Sequence, residues 1–291
     1  MSVLLDELSR VLIQGIGGRF GQFVAGDAAA YGTNIVAGTA PGRRVTEVET
    51  IPVFESVKAA REVTGADMAA IFIPASLALD PVLEAIEAGI ATVFYPGDGL
   101  PVRDAIEMRA AARANGVTLV GPNAPGIISP GKAKIGLMPS FCYRPGPVGV
   151  VSRSGSLSYE VCWRLSNAGV GQTTVIGIGG DPVKGMTAGE AVALLHGDPA
   201  TRAILFLGEI GGGDEYEVAE YAAQTTAKPV AALLAGRGAP PGKKMGHAAA
   251  LVGGYADTHT AKVEALREAR VHIALRLSEI YAAVNAALGA A

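Results

Sequence analysis

The sequence predicts an α/β protein made of two doubly wound parallel sheets. Short β-branched runs alternate with stretches of helical period almost from end to end. The runs are apolar on both faces, as strands covered on two sides must be, and the alternation lapses once, over 126–147, before restarting. At 291 residues the chain has room for two ordinary domains, and 49% hydrophobic against 18% charged residues is a folded, globular composition.

In order along the first half, strands are expected at 10–15 (RVLIQG), 33–40 (TNIVAGTA), 68–74 (MAAIFIP), 91–97 (ATVFYPG) and 117–123 (VTLVGPN). Between them 19–32, 54–65, 79–89 and 102–116 carry apolar residues at helical spacing, and each ends in glycine. Residues 126–147 (GIISPGKAKIGLMPSFCYRPGP) break this rhythm with glycine and proline and read as an irregular or hairpin-like linker. The second half repeats the pattern, with strands at 148–155, 173–180, 203–212, 229–236 and 271–276. Its helices are expected at 156–169, 188–197, 216–225 and 261–269, with a terminal helix after the last strand. The boundaries are therefore 1–125, 126–147 and 148–291.

Composition excludes several classes. The 24 lysines and arginines against 27 acidic residues leave a net charge of −3, with no basic excess to serve nucleic acid or an anionic membrane surface. Apolar runs are strand-length, and the acidic N-terminus lacks the cationic start of a secretory leader. Cys142 and Cys162 are too few and wrongly spaced for a zinc knuckle, a CxxC pair or a disulfide framework, which fits a reducing cytoplasm.

Ligands of doubly wound sheets bind beyond the carboxyl ends of the strands, which singles out several segments. QGIGGRFGQF (14–23) follows the first strand and opens a helix, so Gly15, Gly17, Gly18 and Gly21 let backbone amides approach a phosphate at the helix start. A tight turn alone is the other reading. The second strand ends GTAPGRR (38–44), with no acidic residue for NAD. Arg43 and Arg44 suit a phosphomonoester instead, whether that of NADP or that of coenzyme A. In VVSRSGSLSYE (150–160), Ser154, Gly155 and Ser156 form either an anion nest or an ordinary serine helix cap. GIGGDPVKG (177–185) brings Gly179 and Gly180, and LFLGEIGGG (205–213) brings Glu209 to a strand tip, as a functional carboxylate or a solvated loop charge. Last comes GKKMGHAAALVGG (242–254), which places His247, one of four histidines, among residues with almost no side chain. A histidine that carries a phosphoryl group needs open space around the ring, a carboxylate on Nδ1 and helix N-termini for the phosphoryl charge. Glu209 and the Ser154–Ser156 turn can supply the last two; the bland alternative for His247 is a surface-loop polar residue.

Over nearly its whole length the chain resembles the α subunits of succinyl-CoA synthetases, nucleoside-diphosphate-forming carboxylate–CoA ligases. VVSRSGSLSYE, GIGGDP, GEIGG and GKKMGHA carry the likeness, supported by YGTNIVAGTAPG, IPVF and GPNAPGIISPGKAKIG. The resemblance implies a Rossmann-like coenzyme A domain followed by a flavodoxin-like domain bearing a phosphohistidine. It implies that His247 is phosphorylated by ATP or GTP and passes the group to the carboxylate. Glu209 would orient the ring, and Ser154, Gly155, Ser156, Gly179 and Gly180 would cradle the phosphate. Tyr159 would lie near the acyl substrate, and Gly17, Gly18, Arg19, Phe20, Arg43, Pro96, Gly97 and Asp98 would hold coenzyme A. It further implies a β subunit with an ATP-grasp domain, holding most of the nucleotide and Mg2+, in an αβ or α2β2 assembly. The departures cluster in the first domain. Gly17 stands for a usual threonine, GRRV (42–45) for a glycine–lysine–glycine–glycine turn, and Val24 for a common histidine. Ala124 stands for cysteine or serine, and Asp98 for glutamate. They bear on which acid is used: succinate, or malate, citrate or another dicarboxylate. An NADP-binding oxidoreductase leaves His247 and GIGGDP unexplained, and a non-catalytic coenzyme A-binding subunit needs only the first domain.

Overall fold

Val11–Gln14, Met68–Ile71 and Ala203–Glu209 are buried at every position, so these strands have no solvent-facing side. Only a parallel sheet with helices on both faces accommodates such strands, because each βαβ crossover lays a helix on the sheet. The computed structural model, which describes residues 2–42, 45–225 and 227–291, contains two such sheets in two compact units. One unit comprises 4–138 and 183–186; the other is built mainly of 139–182 and 187–291.

The N-terminal unit contains β1 (Val11–Gln14), β2 (Ile35–Thr39), β3 (Glu47–Val48), β4 (Ile51–Phe54), β5 (Met68–Ile71), β6 (Thr92–Phe94) and β7 (Thr118–Val120). Its helices are α1 (Arg19–Tyr31), α2 (Val57–Thr64), α3 (Leu79–Glu87) and α4 (Val102–Ala114). The sheet order is β3-β4-β2-β1-β5-β6-β7, all parallel except the β3–β4 pair. Without β3 this is the 3-2-1-4-5-6 order of a Rossmann sheet, with β1 and β5 flanking its switch point. The short hairpin β3–β4 is absent from the sequence-based expectation. Its strands are two and four residues long, half exposed and interrupted by Pro52, so they carry no periodic signal. The 126–147 segment holds an antiparallel hairpin of β8 (Gly126–Ser129) and β9 (Ala133–Gly136), tied back to the N-terminal unit by Ser129 Oγ donating to the Leu5 carbonyl at 2.6 Å.

The C-terminal unit contains β10 (Pro145–Ser152), β11 (Gln172–Gly177), β12 (Ala203–Glu209), β13 (Val230–Ala235) and β14 (His272–Ala274). Its helices are α5 (Gly155–Asn167), α6 (Ala188–Gly197), α7 (Asp214–Gln224), α8 (His259–Glu268) and α9 (Ile280–Ala290). The strands run β14-β13-β12-β10-β11, parallel throughout, which is the 2-1-3-4-5 order of a flavodoxin sheet. Its switch point falls between β10 and β12. Helix starts are written into the sequence: Ser154 caps α5, and Thr187 and Glu190 form a capping box on α6.

Candidate functional site

In the C-terminal unit three adjacent strand ends build the site. β12 ends on Glu209, whose side chain is buried. Beyond β11 come Gly179 and Gly180, and beyond β10 come Arg153 and Ser154. The segment carrying His247 is held by backbone bonds: Met245 N–H donates to the Ala250 carbonyl (2.8 Å), Ala250 N–H to the His247 carbonyl (3.1 Å), and Ala249 N–H to the Gly180 carbonyl (3.2 Å). Ile210, Ala250 and Val252 pack together beneath it.

His247 Nδ1 lies 2.8 Å from Glu209 Oε2 and 3.0 Å from Oε1. The ring also packs closely against Gly180, where a Cβ would sit 2.3 Å from His247 Cγ, so any side chain at 180 would displace the imidazole. The hydrogen bond to Glu209 raises the His247 pKa above its ordinary 6.5; partial burial and the charge of Arg153 oppose this, and Asp181 reinforces it. With Nδ1–H donated to a carboxylate, the neutral ring exposes its lone pair on Nε2. That is the tautomer a nucleophilic histidine requires.

Behind Glu209 lies a buried charge cluster. Arg153, 1% exposed, places Nη2 3.2 Å from Glu209 Oε1 and Nε 3.2 Å from Asp214 Oδ2. Its Nη1 donates to Glu215 Oε1 (3.0 Å) and to the Gly211 carbonyl (2.8 Å). Lys262 Nζ pairs with Glu215 and donates to the Glu209 carbonyl at 3.1 Å, while Glu209 N–H donates to Glu215 Oε1 at 3.0 Å. Both the main chain and the side chain of Glu209 are thereby fixed. Such a cluster costs several kcal/mol of desolvation per ion, and deleting one member destabilises by about 3–5 kcal/mol.

At the start of α5, the Ser154 hydroxyl accepts the Leu157 amide at 3.4 Å, while Ser152 Oγ donates to the Ser154 carbonyl at 2.7 Å. The amides of Gly155 and Ser156 have no hydrogen-bond partner among the described residues. They form an anion-attracting end to the helix.

In the N-terminal unit Gly18 begins α1 with no side-chain cap. A Cβ on Gly21 would meet the Gly15 carbonyl oxygen at 2.3 Å, so the first turn of α1 is pressed onto the loop leaving β1. Phe72 N–H donates to the Gln14 carbonyl at 3.0 Å, which puts this loop at the switch point beside β5. Arg19 and Phe20 are exposed on the first turn, and Phe20 stands edge-on to Phe72 with ring centroids 5.6 Å apart. Pro96, Gly97 and the exposed Asp98 follow β6 on the same sheet edge, with Asp98 Oδ1 accepting the Gly99 amide at 2.8 Å. The residues present fit a phosphorylated ligand: backbone amides at an uncapped helix start, an exposed cation and an exposed aromatic face.

Family models match both units: "CoA binding domain" over 6–95 and "CoA-ligase" over 151–272. The succinate–CoA ligase [ADP-forming] subunit alpha of Aquifex aeolicus is 46% identical over 275 residues, covering 94% of this chain and 90% of that one. Subunit alpha 1 of Archaeoglobus fulgidus is 43% identical over 288 residues, covering 99% of each. The chain belongs to the succinate–CoA ligase α-subunit family. Among solved structures, ATP citrate lyase from Methanothrix soehngenii, in complex with citrate and coenzyme A, superposes with a TM-score of 0.89 at 25% identity. That match covers 99% of this chain and 50% of that chain.

Of the residues expected from the likeness to α subunits, the structure brings His247, Glu209 and Gly180 into one contact. It sets Ser154, Gly155 and Ser156 at the neighbouring strand end. Gly179 precedes the contact with φ +93°. Tyr159 lies one turn into α5 and makes no hydrogen bond to His247; burial raises its pKa. Gly17, Gly18, Arg19 and Phe20 gather at the start of α1. Arg43 and Arg44 lie outside the described residues. Val24 and Ala124, two departures from the family pattern, are both buried. Arg153, Asp214, Glu215 and Lys262 went unassigned in the sequence reading. Each carries a faint signal: Arg153 is a charge at a strand end, Asp214–Glu215 follow a glycine run, and Lys262 interrupts the buried stripe of Ala261, Val263 and Leu266. Among the described residues no cluster of three or more metal-ligating side chains is present, and no helix is long and apolar enough to cross a membrane.

Proposed function

We propose that this chain is the α subunit of a nucleoside-diphosphate-forming succinate–CoA ligase, working through a phosphohistidine at His247 and an acyl phosphate. The observation that carries the reading is the two-oxygen grip of Glu209 on His247 Nδ1, which leaves Nε2 as the nucleophile. Nε2 attacks the γ-phosphorus of ATP or GTP and the nucleoside diphosphate leaves. The substrate carboxylate then takes the phosphoryl group and Nε2 regains its lone pair. The acyl phosphate yields to the thiol of coenzyme A, here a substrate, and phosphate departs. Glu209 stabilises the positive charge that the ring acquires while phosphorylated. The amides of Gly155 and Ser156, with Ser154 and the Gly179–Gly180 turn, neutralise part of the phosphoryl charge, each helix end contributing about 0.3–1 kcal/mol.

Coenzyme A is assigned to the start of α1, with Gly17, Gly18, Arg19 and Phe20 at its phosphates, Arg43 at the ribose phosphate and Pro96–Asp98 beside them. The nucleotide and Mg2+ are assigned to a β subunit with an ATP-grasp domain, in an αβ or α2β2 complex acting in the cytoplasm. Succinate is favoured by the 41–46% identity to curated α subunits. Citrate is the second reading, favoured by the likeness to the citrate-bound lyase at 25% identity. A screen of succinate, malate and citrate with coenzyme A and ATP or GTP, on the complex with its β partner, decides between them. Acid-labile, alkali-stable label on the α chain, lost in His247→Asn, is the expected sign of the phosphohistidine. Label that survives that substitution overturns the reading.

A further inference from the structure

The family reading accounts for Glu209 and leaves the arginine behind it without a task. Arg153 Nη2 sits 3.2 Å from Oε1 of Glu209, the same oxygen that lies 3.0 Å from His247 Nδ1. We propose that Arg153 is a positioning residue for phosphoryl transfer: by sharing the Glu209 carboxylate with His247, it limits the negative charge the imidazole feels and keeps the ring neutral and nucleophilic. The proposal rests on His247 being the phosphoryl carrier.

A carboxylate on Nδ1 sets the right tautomer but also favours the imidazolium, whose Nε2 carries a proton and cannot attack. The charged groups around the ring come from every element packed against it. Glu209 comes from β12, Asp181 follows β11 and Arg153 follows β10; behind Glu209 stand Asp214 and Glu215 on α7 and Lys262 on α8. Three of these, Glu209, Asp214 and Glu215, are carboxylates gathered on Arg153, and Lys262 is the other cation of the cluster. Lys262 touches Glu215 and main-chain carbonyls, whereas Arg153 alone of the two touches the Glu209 carboxylate. Without Arg153, three carboxylates face one cation that touches only Glu215 among them, so the Glu209 carboxylate is left to the ring alone and its negative charge favours the imidazolium. His247 then stays protonated to higher pH. The arginine works against its neighbour's side effect while leaving that neighbour's grip intact.

The readout is the His247 imidazole itself, followed by NMR titration of the full chain with labelled histidine and assigned by loss of one signal in His247→Asn. The other three histidines report whether each variant is folded. Arg153→Gln keeps a donor but removes the charge, and its His247 inflexion should rise by about one pH unit, the scale of losing a charge within a few ångströms. Arg153→Lys keeps the charge, and its inflexion should stay close to that of the wild type. An unmoved or lowered inflexion in Arg153→Gln overturns the proposal. Should the glutamine variant not fold, the lysine variant decides alone, since a rise of about one pH unit there is incompatible with a charge effect. In the complex with the β partner, the pH–rate profile of phosphorylation should move upward with the inflexion, whereas a purely structural loss lowers the rate at every pH. Failure of the phosphohistidine reading shows separately, as label retained in His247→Asn.

Discussion

Glu209 and His247, 38 positions apart, meet through two carboxylate oxygens and one ring nitrogen. Removing the negative charge while keeping the shape isolates what the contact does. Glu209→Gln should slow phosphorylation of the α chain by about 10²-fold or more, the usual scale for a positioned acid–base partner. Rapid-quench labelling of the complex reads this directly. Unchanged kinetics would reduce Glu209 to a structural carboxylate.

Gly180 is tested by adding one methyl group. In Gly180→Ala the new Cβ would stand 2.3 Å from His247 Cγ, so the ring must leave its bond with Glu209. A displacement of about 1 Å in a reacting group costs on the order of 10²-fold, so label should accumulate at least that much more slowly. The melting temperature should drop only modestly, because the ring borders solvent. Wild-type rates in Gly180→Ala would disprove this packing.

The pH dependence has a definite sign. The Glu209 bond raises the His247 pKa above 6.5, and only the neutral ring attacks. Phosphorylation should therefore fall as pH is lowered through an inflexion above 6.5. The stabilising contribution of the same pair runs the other way, present in full below pH 6.5 and lost as pH rises through the folded-state value. An inflexion below 6.5 in single-turnover phosphorylation would contradict this geometry.

At the coenzyme A end, Gly21→Ala and Phe20→Ala should behave differently. The first forces a methyl group against the Gly15 carbonyl and should cost about 1–3 kcal/mol of stability along with affinity. Phe20 is 48% exposed, so its loss should weaken coenzyme A binding while leaving unfolding nearly unchanged. Calorimetry paired with denaturant titration separates the two outcomes.

Arg43 is tested by ligand comparison. Coenzyme A should bind more tightly than dephospho-coenzyme A, and Arg43→Ala should erase most of a roughly 10- to 100-fold difference, the equivalent of one charge-assisted bond of about 1.5–3 kcal/mol. Equal affinity for the two ligands in wild type would remove the arginine from the site. Tight NADPH binding without coenzyme A binding would revive the oxidoreductase alternative.

The parallel strands were legible because burial on both faces writes itself as continuous apolar runs, VLIQ in β1 and AILFLGE in β12. Strand order was not, since β10 choosing β11 and β12 as neighbours leaves no local mark. The same limit governs the site. Glu209 and His247 could be paired in advance through the strand-end rule and the family likeness. Arg153 and Lys262 meeting on one carboxylate, Glu215, depends on the pairing of whole strands, which no short motif encodes. β4, four residues long with an exposed Pro52 beside a buried Ile51, is too short to carry any periodic signal.

The switch point of the C-terminal sheet also sets when the protein becomes competent. Arg153 follows the first strand of that unit, Glu209 ends its third, and Lys262 arrives from a helix more than a hundred residues after Arg153. Glu209 is held as in the native unit only when its neighbours from β10 and α8 are both in place, and a chain that ends before residue 262 lacks one of them. The imidazole is thus a built-in inspector of the finished unit, reporting completed assembly by the same contact that prepares it for chemistry.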